Sequence, residues 1–548
     1  MKRNPVTLPE RTVTTLNNGA RYVYLTQSVQ YHSELKASRP KRICIGKLND
    51  EGLLIPNQNY VDLFGEGEDM IDSSDRCDSL SVGPQFVMGK IAERNGLYEL
   101  LESVFSREKA DRIMDLATYM VVSEKNVLQH FPDYGYDHTL FSLKNFTDTT
   151  AGRFLEELKV KDIDLFIQGW VRMNSAKKIY VAYDSTNMNT VAGDIEIAEY
   201  GKAKDDDSLP QVNVSVGYSQ DDQIPLFYEL YPGSLIDNTE CEKMVERANR
   251  YGCEKIGFIL DRGYFSKKNL RFFEKMGYDY IMMTKANVQF VQDVLKKNGP
   301  ALENGYSYYI ESHELYGMSE KINLFGTEKE QYVHLYYNAL EAAREKLSFN
   351  KILSDMDIAL EEKKEKKMVR KEEMKSYEKY YRLRYDDNGY FLNYQRKDKD
   401  IKAVMESFGY FAIITSEEMS AAEALDRYRD RDAVEKVFRM DKSYLGNDVF
   451  RVHSDEKLEG KVFISFIALI LRNNILQKSK ELKKINRKEY TVPMIVREID
   501  RLRVTKLSDN RYHLRYNLTA KQKKILKAFE AEEKEYLTFA NKVKDLSD

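Results

Sequence analysis

Residues 421–445 read AAEALDRYRDRDAVEKVFRMDKSYL, and within them Tyr428, Arg431, Glu435 and Lys442 fall on one helical stripe. A helix turns about 100° per residue, so with Tyr428 at zero the other three lie at about 300°, 340° and 320°, within about 60° of arc. Val434, Val437 and Phe438 fall at about 240°, 180° and 280°, which puts the packing face largely opposite and to one side. The stripe presents a carboxylate with two cations and a phenol. Asp432 and Arg439 point the same way, so the helix alone also suits an ordinary amphipathic segment with a solvated face. Ser420, with Glu423 three residues on, reads as a capping box that starts it.

Two aspartates far upstream change the weight of that stripe. The apolar run KIYVAY (178–183) reads as a strand ending at Asp184-Ser185-Thr186, and IGFIL (256–260) as a second strand ending at Asp261. Either aspartate alone suits a turn or a cap. With Glu435 they make three carboxylates from three separated elements, the oxygen donors that a hard divalent cation takes. Between and after them, QVNVSVGY (211–218) and IPLFYELY (224–231) read as antiparallel neighbours across a polar turn at 219–223. CEKMVERANRYG and RGYFSKKNLRFFEKMG read as helices, and YIMMTK as a strand ending at Lys285. The order is three strands, helix, strand, helix, strand, a mixed α/β layer with both aspartates at strand ends. Lys285 is a candidate backbone contact for a bound polyanion and equally suits a solvated strand end.

Asp261 and Glu435 stand far apart along the chain. A structureless loop of that length inside a compact domain is rare, so folded material is expected to be inserted there. YSYYIESHELYG, EQYVHLYYNAL and NGYFLNYQ are Tyr-rich and strand-like, and 342–381 is charged and helical, including the Glu/Lys run EEKKEKKMVRKEEMKSYEKYY. GYFAIITS then returns as a strand before the striped helix, and VFISFIALILRNNILQ follows as an apolar helix expected to pack on the sheet. The expected organisation is a strand/turn segment at 1–85, with a hairpin turning at Asn49-Asp50-Glu51-Gly52, and a helical domain at 86–170 that is a candidate for DNA contact. A first core part follows at 171–290, an inserted α+β, β-rich subdomain at 291–400, a second core part at 401–480, and a C-terminal helical basic region at 481–548.

At 548 residues the chain is long enough for two to four domains, and 42% hydrophobic residues can build real cores. A net charge of −3 carries no global nucleic-acid signature. From Arg472 to Lys506, however, 11 Lys/Arg stand against 4 Asp/Glu, and segregated charge of this kind suits a polyanion-tracking surface. The four cysteines form no CxxC pair, which speaks against a zinc site or a disulfide framework and for a reducing cytoplasm. The start MKRNPVTLPE has no apolar targeting core. The run Val462–Leu471 is about half the ~20 residues of a membrane span, so no membrane association is expected. The seven histidines are scattered and no G-x-S-x-G occurs, against a serine hydrolase.

Taken together, DST (184–186), DRGYFS (261–266) and the Tyr428-x2-Arg431-x3-Glu435-x6-Lys442 string resemble the DDE transposases of bacterial insertion sequences. More narrowly the chain resembles the superfamily named for its Tyr-Arg-Glu-Lys signature, in a long branch with an N-terminal RPKR-x-x-IGKL segment, here RPKRICIGKL (39–48). RVHSDEKLEGKVFISFIALIL, after the signature, resembles the same branch. The resemblance implies an RNase H-like mixed sheet with flanking helices, interrupted by a β-rich insert, and a partly helical N-terminal domain. It implies cut-and-paste transposition with two Mg2+ or Mn2+ ions, held by Asp184, Asp261 and Glu435. Tyr428, Arg431 and Lys442 correspond to DNA-phosphate contacts. The implied partners are double-stranded DNA, as transposon ends and target, and a second copy as a homodimer on DNA, in a bacterial cytoplasm at the nucleoid. Relatives with a hairpin step use a tryptophan in the insert, whereas the single tryptophan here, Trp170, precedes Asp184. Two alternatives share the scaffold: a catalytically inactive DNA-binding relative, and a metal-dependent nuclease that does not join strands.

Overall fold

The structure, a computed structural model, describes residues 8–9, 12–17, 20–32, 37–49, 52–57, 59–60, 63, 77–174, 179–191, 194–201, 208–235, 237–252, 256–284, 288–324, 329–366, 369–446, 449–486, 490–508 and 511–543. The chain divides into two units, one of residues 1–159, 456–471 and 475–548, the other of residues 160–455 and 472–474. No helix among the described residues is long and apolar enough to cross a membrane.

The first unit begins with an antiparallel sheet of β1 (Thr12–Asn17), β2 (Ala20–His32), β3 (Ala37–Leu48) and β4 (Leu54–Pro56), in that order, closed over Val23, Ile45 and Leu54. The hairpin expected after RICIGKL is the β3–β4 pair, with Gly52 N–H donating to Asn49 O at 3.1 Å. Strand β5 (Ser79–Ser81) pairs with Arg503–Lys506, which pairs in turn with Tyr512–Leu514. Helices Gly83–Arg94, Leu97–Phe105 and Arg107–Ser123 bury the periodic apolar positions that mark them in the sequence. The apolar stretch 456–471 belongs to this helical unit. Phe463 lies against Phe105 (5.3 Å between ring centroids), and Gly460 approaches Leu155 so closely that a Cβ would fall 2.3 Å from its carbonyl oxygen.

His138 ties this unit together. Its Nδ1–H faces Tyr134 O at 2.9 Å and Asp137 at 2.5 Å, its Nε2–H faces Asp500 at 2.8 Å, and its ring stacks on Tyr134. Both ring nitrogens therefore face acceptors, which only the imidazolium satisfies. Burial opposes that charge, but the hydrogen bonds and charges of Asp137 and Asp500 outweigh it and raise the His138 pKa. Arg503 completes the group by pairing with Asp137 at 2.7 Å.

The second unit is built on one ten-stranded mixed sheet. Its strands are β6 (Ile179–Thr190), β7 (Gln211–Ser219), β8 (Ile224–Pro232), β9 (Ile256–Leu260), β10 (Asp279–Thr284), β11 (Tyr309–Ile310), β12 (Leu315–Ile322) and β13 (Gln331–Tyr337), with β16 and β17 below. A separate hairpin, β14 (Tyr381–Tyr385) and β15 (Phe391–Arg396), stands off the sheet; β16 (Tyr410–Thr415) and β17 (Val449–Phe450) rejoin it. The order is β11-β12-β13-β16-β10-β9-β6-β7-β8, with β17 alongside β6. Strands β6, β9 and β10 run parallel and the hairpin β7–β8 antiparallel, as the strand and helix order of the sequence requires. Helices Asp237–Arg250 and Lys267–Met276 make the crossovers. The second starts at Ser266, whose side chain accepts from Asn269 N–H, and stops at Gly277 in the left-handed region (φ 76°). Gly257 sits across from Tyr180 because a Cβ there would come 2.5 Å from the tyrosine ring. Trp170, on helix Val160–Asn174, donates its indole N–H to Pro225 O at 2.9 Å and so pins that helix to β8.

Three expectations are corrected. Strand β6 does not end at Asp184: pairing with β7 continues from Asp184↔Val216 to Asn189↔Gln211. The strand-like pieces at 309–337 extend the main sheet, because β13 pairs with β16. The helix Ala339–Lys366, the hairpin β14–β15 and the helix Asp398–Met405 instead close their own small core around Phe349, Leu353, Met374, Tyr381 and Phe391. The Glu/Lys run is helical to Lys366 and resumes as a 3-10 turn at Lys371–Tyr377.

Because the folded His138 pKa is raised, its contribution is fully present below the unfolded value of about 6.5 and is lost as pH rises through the folded value. His138→Ala should therefore destabilise the first unit by ~1.5–3 kcal/mol at pH 5.5, the range for hydrogen bonds to charged groups, and by less at pH 9.5. Amide exchange of helix Arg107–Ser123, corrected for its intrinsic pH dependence, checks this; equal losses at both pH values would remove the imidazolium.

Candidate active site

The site starts from strand register. Parallel pairing of β6 with β9 runs from Ile179↔Ile256 to Tyr183↔Leu260, so the next residues, Asp184 and Asp261, stand side by side on neighbouring backbones about 4.8 Å apart. β9 stops there while β6 continues, which opens the sheet beside both carboxylates. Each aspartate is oriented locally: Asp184 Oδ1 accepts from Ser185 N–H at 2.8 Å, and Asp261 Oδ1 from Arg262 N–H at 2.7 Å.

The striped segment lies over them, but not as one helix. Helix Ala421–Arg429 starts at Ser420, whose hydroxyl accepts from Glu423 N–H at 3.1 Å. The reciprocal half of the expected capping box is replaced by Glu423 accepting from Arg427 Nε–H. At 431–434 the bonds shorten to the i−3 pattern: Arg431 N–H to Tyr428 O, Ala433 N–H to Asp430 O and Val434 N–H to Arg431 O. A second helix, Asp432–Arg439, follows, and then a π turn, Met440–Tyr444. A uniform helical step does not hold across 428–442, and Lys442 lies half-buried in the π turn rather than on the ideal stripe.

Asp184, Asp261 and Glu435 meet through two side chains, Tyr428 and Arg431. The Tyr428 hydroxyl donates to Asp261 Oδ1 at 3.1 Å, from a ring buried with Ile259, Leu315, Tyr336 and Leu425. Arg431 extends one guanidinium nitrogen to Asp184 Oδ2 at 3.3 Å and the other to Glu435 Oε1 at 2.9 Å, and its guanidinium lies over the Tyr428 ring at 5.6 Å. Burial and the charge of Asp261 raise the Tyr428 pKa well beyond its ordinary value, which keeps it a proton donor. Burial opposes the Arg431 charge, yet Tyr428, Asp184, Asp261 and Glu435 together raise its pKa. Arg431 and Asp184 are mostly enclosed, whereas half of the Glu435 side chain is exposed. The arm to Glu435 is thus worth ~0–1 kcal/mol despite its shorter distance. The buried Arg431 Nε–H has no acceptor among the described residues, a deficit of ~1–3 kcal/mol.

The donor types here, three carboxylates, suit Mg2+ or Mn2+. Among the described residues no three His, Cys, Asp or Glu side chains are arranged to hold one metal ion; the guanidinium of Arg431 stands between Asp184 and Glu435. The fit is therefore one of chemistry and of neighbouring position, with a cation of the protein's own in the middle.

Lys285 lies outside the described residues. The basic 472–506 segment is not a uniform cationic face: Arg472 is fully buried over Tyr444 at 4.4 Å, Lys478 pairs with Glu481, Arg501 with Glu498 and Arg503 with Asp137. The sequence reading missed His313, whose Nε2–H donates to Asp426 at 2.6 Å while its Nδ1 accepts from Arg429 at 2.6 Å. A lone histidine 113 residues from Asp426 carries no local signal.

Residues 175–471, more than half of the chain and the span holding Asp184, Asp261, Tyr428, Arg431, Glu435 and Lys442, match the family model described as transposase DDE domain. No curated protein matches. Among solved structures, the cryo-EM structure of the piggyBac transposase synaptic complex with hairpin DNA is similar at 10% identity and a TM-score of 0.34, over 80% of this chain and 76% of that one. On the match to the family model, the chain belongs to the transposase DDE domain family.

Proposed function

We propose that this transposase cuts phosphodiester bonds at the ends of a mobile DNA element and joins the freed 3′ ends to target DNA, with Asp184, Asp261 and Glu435 as its catalytic carboxylates. The observation that carries this reading is the meeting of all three around Arg431 and Tyr428, inside the residues that match the family. The strand order β8-β7-β6-β9-β10, with the first strand central and the second aspartate on its parallel neighbour, supports an RNase H-like core. The Tyr428, Arg431, Glu435 and Lys442 string supports the Tyr-Arg-Glu-Lys superfamily, and RPKRICIGKL (39–48) its long bacterial insertion-sequence branch.

Bound between these carboxylates, Mg2+ or Mn2+ would supply Lewis-acid activation of the attacking hydroxyl and stabilisation of the leaving 3′ oxygen. The protein's own side chains do the rest. Asp184 and Asp261 are fixed by the sheet and by the amides that follow them. Tyr428 orients Asp261 by donating its hydroxyl, and Glu435 brings the third carboxylate from a helix. Arg431 and Lys442 grip phosphates beside the scissile bond, Arg431 through a planar fork and Lys442 as a point charge. Lys285 is a further candidate for a backbone contact. Cutting two ends in one event calls for two copies on double-stranded DNA, in the bacterial cytoplasm at the nucleoid.

Alanine at Asp184, Asp261 or Glu435 should lower cleavage of an end-bearing duplex by ~1000-fold or more. Binding of the same duplex in a gel shift should stay within about threefold, since phosphate contacts dominate affinity. Full cleavage by any one variant removes that residue from the chemistry. Lys442→Ala should weaken end binding and make the slope of log affinity against log salt shallower by about 0.9. An unchanged slope excludes Lys442 as a phosphate contact. Pre-cleaved ends supplied with target DNA test joining; hydrolysis without joining would make the protein a nuclease.

A further inference from the structure

Arg431 is assigned to DNA by its place in the signature, yet in the structure it faces the carboxylates. One guanidinium nitrogen meets Asp184, the other meets Glu435, and the plane covers the Tyr428 ring. We propose that Arg431 is the resident counter-ion of this site: it holds Asp184 and Glu435 in the place a divalent cation takes, and turns out to a DNA phosphate when that cation enters. The proposal rests on the reading of the three carboxylates given above.

The argument is one of charge and fit. Asp184 and Asp261 stand on adjacent strands, and Asp184 and Arg431 are mostly enclosed, so their charges are poorly screened. Carboxylates brought this close repel one another, and a positive group between them relieves that repulsion. Arg431 supplies that charge by standing between Asp184 and Glu435. It does so loosely. Each carboxylate meets a single nitrogen, at 3.3 and 2.9 Å, in place of the two parallel bonds of a full guanidinium–carboxylate pair, and the buried Nε–H has no acceptor among the described residues. A DNA phosphodiester presents two unesterified oxygens and can satisfy the fork that the carboxylates leave incomplete. Position permits the exchange: Arg431 lies at the joint between two short helices, beside the half-exposed Glu435, not in the sheet. The exchange also orders the events, because the arginine is released to grip DNA only where the carboxylates have another cation.

The test uses the full chain without DNA and Mn2+ as the probe, with free ion counted by electron paramagnetic resonance. Arg431→Gln should bind Mn2+ ~10-fold tighter than wild type, the effect of removing one competing charge from beside a carboxylate. Adding Asp261→Asn to it should abolish that gain. Arg431→Lys, which keeps the charge but cannot span both carboxylates, should fall between. In unaltered protein, phenylglyoxal labelling of Arg431, read by peptide mass spectrometry, should rise when Mn2+ is added. Equal affinity in wild type and Arg431→Gln overturns the proposal, as does Asp261-independent binding, or labelling unmoved by saturating Mn2+. These readouts need no cleavage, so they are separable from the reading itself, which fails if Asp261→Ala still cuts DNA.

Discussion

Three carboxylates, two from neighbouring strands and one from a helix, meet around a single guanidinium, and the candidate site is organised by the positive charge placed among them. Coulomb repulsion between unit charges a few ångströms apart grows several-fold as water is excluded. The chain meets it with a guanidinium that is delocalised, always charged and long enough to touch Asp184 and Glu435 at once. A lysine would offer a point charge that gives up its proton when buried. A tyrosine on the same helical segment takes the remaining carboxylate, Asp261, by a neutral hydrogen bond that adds no charge. Two of the signature residues, Tyr428 and Arg431, thus meet the acidic cluster itself.

That arrangement is possible only because strand register puts the two aspartates level. One residue of slip between β6 and β9 would turn one of the two side chains to the opposite face of the sheet. The register is secured by apolar burial along both strands, with Val181, Ala182, Phe258, Ile259 and Leu260 all inaccessible to solvent, and by the close fit of Tyr180 over Gly257. Site geometry is therefore paid for in the core. β6 then runs on beyond Asp184 to Thr190, where it keeps β7 and gains β17, so the aspartate projects from a strand held on both sides of its position.

Much of this was legible in the sequence because it is local. Apolar runs bounded by polar turns mark β6 to β10, and Ser266 and Gly277 mark the limits of the helix between the last two. The three carboxylates could be named for the same reason: each follows or faces a pattern that burial imposes. What was not legible depends on distant partners. No glycine or proline marks the break at Asp430 and Arg431, where RDRDAV reads as sound helix. The continuation of β6 past Asp184 follows from pairing with β7 and cannot be read from polar Ser185, Thr186 and Asn187 alone. Counting charge over 472–506 does not reveal that Arg472 is buried over an aromatic ring while Arg503 answers an aspartate 366 residues away.

The long separation between Asp261 and Glu435 is the last part to explain. Loop closure over so many residues is unfavourable but grows only slowly with length, so the insertion is tolerable if its ends are held. The fold does more than hold them. β12 and β13 are added to the sheet beyond β16, and together with β10 they form the floor on which helix Ala421–Arg429 rests. Leu315 and Tyr336 pack against Ala421, Leu425 and Tyr428, the Tyr336 hydroxyl donates to Ala421 O at 2.7 Å, and His313 bonds both Asp426 and Arg429. The segment between the second and third carboxylates is thereby the support of the helix that carries Tyr428 and leads into Arg431 and Glu435. A shorter connection could reach the same point in space, but it would leave that helix without its floor, and the angle at which Arg431 meets two carboxylates would no longer be set by packing.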